Sequence, residues 1–189
     1  MRKGARAEQD RPACNGATGF PSTSRITNTL KQNKMTTETC FMAGEVKLTY
    51  QAKHKISELP KIISSKDIFE FLKKIYEQGN EAMYRETFYV LCLNCRNRII
   101  AWYRLSTGGL VGTVADSRMI FQAALLANAT SVILSHNHPS CEVQPSQQDV
   151  DLTKKIKEGG KILEIKVVDH IIISGELDKY YSFADEGQI

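Results

Sequence analysis

No apolar run in this chain approaches the roughly 20 residues needed to span a bilayer, and its basic N-terminus lacks the apolar core of a signal peptide. Both absences predict a cytoplasmic protein with no membrane partner. Cysteine is too sparse and too irregular for a disulfide framework. The five residues Cys14, Cys40, Cys92, Cys95 and Cys141 are odd in number and unevenly spaced, which predicts a reducing compartment. Cys92 and Cys95 form a CxxC, but no second pair completes a four-cysteine zinc site, and the pair falls at a predicted hairpin. A structural role is expected for it. There is no internal repeat and no low-complexity segment. The body also lacks an excess of positive charge. Residues 1–34 hold seven Lys/Arg against two acidic residues, and the remainder holds 18 basic against 19 acidic residues. The formal net charge of +4 therefore belongs to the tail. The body makes no electrostatic case for a nucleic-acid partner.

What is present is the composition of a globular protein, 42% hydrophobic and 24% charged, in a length of 189 residues that suits one domain with extensions. Residues 1–34 are rich in Gly, Ser, Thr, Asn and Arg and hold few large apolar side chains, so a disordered tail is expected there. Met35 and Met42 are alternative starts. Residues 35–64 read as an extension with one strand, and residues 65–189 as the domain.

Residues 45–50 (EVKLTY) alternate as a half-buried strand does. Ser64-Ser65-Lys66-Asp67 offers helix-capping chemistry, followed by Ile68, Phe69, Leu72, Ile75 and Tyr76 at helical spacing and by Gly79 as a stop. Residues 87–93 (TFYVLCL) predict a buried strand, 94–97 a turn, and 98–105 an antiparallel partner, after which Gly108-Gly109 breaks the chain. Residues 116–127 read as a helix, 131–135 as a short buried strand, 146–158 as a helix closed by Gly159-Gly160, and 167–174 as another buried strand. The order β-α-β-β-α-β-α-β predicts an α/β (α+β) fold, a mixed sheet with helices on its faces.

The stretch His136 to Asp149 (HNHPSCEVQPSQQD) carries the chemistry. His136 and His138 are two apart at the end of an apolar strand, where alternate side chains point the same way. Both imidazoles can then reach one ion. Pro139 ends the strand, the loop to Pro145 turns the chain, and Ser146 opens a helix with Asp149 in its first turn. Two imidazoles and a carboxylate form a zinc set that leaves a fourth position for water. Zinc acidifies that water and polarises a carbonyl. A nearby Glu would serve as the base, and Ser146 could donate to a developing oxyanion. Each residue also has a plainer reading. Ser146 with Asp149 fits a capping box that needs no metal, and the histidines could be ordinary strand-end residues. His170, on the last buried strand, could approach the site, although a hydrogen-bonded core histidine is the expectation. His54, among lysines, is expected to be exposed.

At these residues the chain resembles the JAMM (MPN+) metallopeptidases, whose pattern is an upstream Glu, then H-x-H, seven residues, Ser, two residues and Asp. His136-Asn137-His138, Pro139 through Pro145, Ser146, Gln147-Gln148 and Asp149 fill that register. The wording HNHPS, Arg85-Glu86 before a strand, Leu126-Ala127-Asn128-Ala129 before the motif and Asp169-His170-Ile171-Ile172-Ile173 after it are similar to the RadC branch. The resemblance covers about residues 65–187. It implies the JAMM/MPN (cytidine-deaminase-like) architecture and one Zn2+ per chain held by His136, His138 and Asp149. It also implies Glu86 as the catalytic base, Ser146 as the oxyanion donor, and hydrolysis of an amide bond in a protein or peptide substrate. Local logic alone does not select Glu86 over Glu81 or Glu77; it adds only that Glu86 opens a buried strand. Two departures stand out. Cys141 occupies a position where the family usually has Gly, so a reshaped loop and a thiol beside the ligands are expected. The helix-hairpin-helix DNA-binding region that normally precedes this domain in RadC proteins has no counterpart in residues 1–64, which weakens the rival reading of a DNA repair or recombination factor.

Overall fold

The computed structural model describes residues 54–108 and 115–189. The strand expected at residues 45–50 and the tail expected over residues 1–34 lie outside them. After a short 3-10 turn at Ile56–Glu58, Ser64 starts helix α1 (Ser65–Gly79) through a reciprocal capping box with Asp67. The Ser64 hydroxyl accepts from the Asp67 amide at 3.3 Å, and the Asp67 carboxylate accepts from the Ser64 amide at 2.9 Å. Ile68, Phe69, Leu72, Ile75 and Tyr76 form the buried stripe that the spacing predicts. Gly79 is not the stop: it is the last helical residue, and Asn80, left-handed at φ 49°, closes the helix. Asn tolerates that conformation at low cost, so it competes with Gly for the position.

Strands β1 (Thr87–Leu93), β2 (Ile99–Thr107), β3 (Ser131–His138), β4 (Lys166–Ser174) and β5 (Tyr180–Ser182) form one sheet in the order β2-β1-β3-β4-β5. All pairs are antiparallel except β3–β4. A parallel pair needs a long crossover, and helix α3 (Gln147–Leu163) provides it. Helix α2 (Ser117–Leu126) precedes β3. The mixed α/β architecture is the one the sequence predicts. β5, three residues long, was not anticipated because so short a segment displays no period.

Alternation along the strands builds two cores, one on each face. Tyr89, Leu91, Leu93, Ile133, Ile171 and Ile173 pack with α1, whereas Phe88, Val90, Val132 and Leu134 pack with Ile120 and Ala124 of α2 and Ile156 of α3. Gly159-Gly160 does not close α3, which continues to Leu163 and ends on left-handed Glu164. The pair is there for close approach. A Cβ on Gly160 would lie 2.3 Å from the Ile165 carbonyl oxygen, and one on Gly159 would lie 2.8 Å from the Phe121 ring. Among the described residues no helix is long and apolar enough to cross a membrane.

Candidate metal centre

His136 and His138 both belong to β3, which runs further than the apolar stretch 131–135 because β1 and β4 pair with it on both sides as far as the motif. Alternation then puts both rings on the α2/α3 face. Their Nε2 atoms lie 3.0 Å apart. The loop after Pro139 returns the chain to the start of α3, where Asp149 places Oδ1 3.2 Å from His136 Nε2 and Oδ2 3.9 Å from His138 Nε2. One ligand atom from each of the three residues falls within 4.8 Å of the others. The His136 side chain is 1% exposed, while those of His138 and Asp149 are 18% and 14% exposed, so the centre opens to solvent on one side only.

The hydrogen bonds around the centre orient its side chains. His138 Nδ1 lies 2.6 Å from the Glu142 carbonyl, which can only accept, so Nδ1 carries the proton and Nε2 presents a lone pair. Burial, reinforced by His136, holds the His138 imidazole below its ordinary pKa and favours this neutral form; the Glu142 carbonyl and Asp149 oppose it. His136 turns its Nδ1 toward His170 Nε2 at 2.9 Å, and His170 Nδ1 lies 2.7 Å from the Thr153 hydroxyl. Asp149 adds a carboxylate. Burial acts to raise its pKa, but His136 and the Ser146 hydroxyl and amide together hold it well below the usual carboxylate range. His138 Nε2 and the Asp149 carboxylate both turn acceptors toward His136 Nε2, at 3.0 and 3.2 Å, and two imidazoles with one carboxylate are a donor set that fits zinc.

Ser146 and Asp149 do form a capping box. The Ser146 amide and hydroxyl donate to Asp149 Oδ2 at 2.7 and 2.6 Å, and Ser146 Oγ accepts from the Asp149 amide at 3.3 Å. The cap is compatible with a ligand role, since these bonds fix Oδ2 and leave Oδ1 toward His136.

Glu86 immediately precedes β1, whose Phe88 pairs with His136. Carrying the alternation back by two residues brings Glu86 to the face that holds His136 and His138. The half-buried carboxyl is raised in pKa by burial and by the charge of Asp149, with His136 opposing. Asn137 points to the opposite face. Its Oδ1 accepts from the Thr87 amide at 2.8 Å, and its Nδ2 donates to the Ala82 and Arg85 carbonyls at 2.7 and 2.8 Å. The residue between the two histidines therefore clamps the backbone on either side of Glu86.

Sequence reasoning missed Asn137 and Thr153. The partners of Asn137 and the His170 partner of Thr153 lie across tertiary contacts, and only their place inside or next to the motif marks them in the sequence. His170 is the buried, hydrogen-bonded histidine expected, and it abuts the site. His54 is exposed, as expected. Cys92 is buried in the core and Cys95 exposed in the turn, and both are free. Cys141 directs its thiol to the Pro139 carbonyl at 3.7 Å. Its backbone is left-handed at φ 63°, a conformation that Gly adopts freely. Cys141→Gly is expected to stabilise the chain by about 0.5–1 kcal/mol, the cost of a left-handed L-residue less the greater unfolded entropy of Gly. Paired thermal melts measure this, and a lower melting temperature for the variant would contradict it.

A family profile described as the RadC-like JAB domain matches residues 62–188. The chain is similar to a UPF0758 protein of Flavobacterium johnsoniae, 47% identical over 137 residues, which is 72% of this chain and 57% of that protein. It is also similar to a UPF0758 protein of Methanosarcina barkeri, 41% identical over 128 residues, covering 67% of this chain and 53% of the relative. A UPF0758 protein of Porphyromonas gingivalis is 44% identical over 103 residues, covering 54% and 45% respectively. The chain spans about half the length of the curated relatives it matches.

Proposed function

The chain belongs to the RadC-like JAB domain family, and from that premise we propose that it is a zinc-dependent hydrolase of the JAMM type, cleaving an amide bond as a peptidase or isopeptidase. The observation that carries the proposal is the convergence of His136 Nε2, His138 Nε2 and the Asp149 carboxylate within 4.8 Å, at a point open to solvent on one side. When bound there, zinc supplies a Lewis acid that polarises the scissile carbonyl and acidifies a water. Glu86 removes the proton of the attacking water and delivers it to the leaving amine. Its raised pKa is the direction such a base needs. Ser146, which donates to Asp149 in the resting arrangement, moves that hydrogen bond to the oxyanion as charge develops. The near-neutral balance beyond residue 34, 18 basic against 19 acidic residues, supports a protein or peptide substrate over a polyphosphate chain.

Elemental analysis of protein purified without added metal is expected to find one zinc per chain, and none in a His136→Ala, His138→Ala double variant. The same protein is expected to cleave a member of a peptide and isopeptide panel and to bind duplex DNA without preference over other anions. Unchanged zinc in the double variant would sink the ligand assignment. Zinc-loaded protein that ignores every amide but binds duplex with a steep salt dependence would favour the DNA-associated reading.

A further inference from the structure

We infer that the groove beside the C-terminal end of α3 is a docking site for an acidic segment of a protein partner, one that carries apolar side chains between its carboxylates. The inference does not depend on the metal-centre reading, because the groove lies away from that centre. Asp149 and Lys161 stand at opposite ends of α3, roughly 18 Å apart at the rise of an α-helix. The groove has a volume of about 360 Å³. Its floor is apolar: Ile165 and Val167 line it and are 3% and 5% exposed. Ile189, packed against the same core, forms a wall.

The rim is basic. Lys157 and Lys161 are neighbours one turn apart on α3, and Lys166 opens β4 across the groove from them. Lys154, exposed and one turn before Lys157, continues the row. One acidic side chain, Glu164, shares the rim and is outnumbered. Among the described residues none of the three rim lysines is in an ion pair. The Lys157 ammonium donates to the Gln188 carbonyl at 3.4 Å. Lys161, in the last turn, complements the negative end of the helix. Lys157 and Lys166 lie outside that turn, so the helix end does not explain them. Positive charge that this chain leaves unneutralised, set around an apolar floor, is complementary to a segment bringing carboxylates and apolar side chains together. The same lining disfavours nucleic acid. Grooves for single strands add aromatic side chains for base stacking, and phosphate recognition favours the Arg fork. This lining holds neither.

A short synthetic peptide with a Leu pair between two Glu pairs is the probe. Titrated into the nitrogen-15-labelled full chain, it is expected to shift the amides of Lys157, Lys161, Ile165 and Lys166 and to leave those of His136 and His138 in place. Its affinity is expected to fall as salt is added. Replacing its Glu by Gln, or its Leu by Ala, is expected to weaken it as well. The double variant Lys161→Glu, Lys166→Glu turns two attractions into repulsions and is expected to weaken binding about tenfold or more. The uncharged pair Lys161→Gln, Lys166→Gln is expected to fall between this variant and wild type. A peptide that shifts none of the groove amides of the wild-type chain overturns the inference, whether or not the variants fold. So does a folded charge-reversed variant that binds the peptide as wild type does. Duplex DNA that shifts the same amides at lower concentration than the peptide also overturns it, since the groove then selects a polyanion. Zinc binding and amide hydrolysis are read separately, so their loss leaves this result standing, and its failure leaves theirs.

Discussion

Glu86→Gln is expected to keep its zinc and its fold while hydrolysis of a productive amide substrate falls by about two to four orders of magnitude, the usual worth of a positioned base. The split follows from where Glu86 sits. It is not among the three residues whose ligand atoms converge, so the metal does not depend on it. It lies on the approach to β1, opposite the end of β3, within electrostatic reach of His136 and Asp149. Gln keeps the shape and a hydrogen-bonding group but cannot take a proton. A structural zinc site would show no split, because no reaction would depend on this side chain. The measurement is zinc content, melting temperature and kcat on the same two proteins. Loss of zinc from the variant, or wild-type hydrolysis by it, would show that Glu86 is not the base and would make Glu81 the next residue to test.

The largest stability effect is expected at Asn137. The side chain is fully buried and serves three backbone groups, the Thr87 amide and the Ala82 and Arg85 carbonyls. Asn137→Ala leaves all three without it. A buried polar group deprived of its partner costs about 1–3 kcal/mol, so the sum is at least about 3 kcal/mol. At roughly 2–4 °C per kcal/mol for a chain of this size, melting is expected to drop by roughly 6–12 °C. The same clamp holds Glu86 beside the ligands, so kcat is expected to fall with stability while His136, His138 and Asp149 still bind zinc. Calorimetry and zinc titration on the folded variant at low temperature test both halves. Melting at the wild-type temperature would show that the segment before β1 is held by other contacts and that Asn137 does not position Glu86.

These expectations differ in how far the sequence alone could reach them. The buried stripe of α1, the strands of the central hairpin and the pairing of Ser146 with Asp149 were legible, because each depends on residues one to four apart. The same holds for His136 and His138, whose spacing on a strand brings two rings to one side. Gly159-Gly160 misled for a related reason: Gly is a local stop signal, yet here it admits the Ile165 carbonyl and the Phe121 ring, and neither contact has a local signature. The sequence shows Cys141 where the family usually has Gly, but only the backbone angle of 63° gives that departure an energetic meaning.

What the sequence determined by itself is the three longer helices and four longer strands of the described residues, the mixed sheet and the candidate ligand set, since helical and strand periods and capping are short-range properties of the chain. What only the tertiary structure decided is everything that crosses between elements. The antiparallel register of β1 on β3 brings Glu86 to the histidines from some 50 residues upstream. The parallel register of β3 on β4 puts His170 against His136, and the return of α3 over that face brings Thr153 to His170. A side chain's partners depend on which groups face it, and no spacing along the chain encodes a neighbour that arrives from another strand.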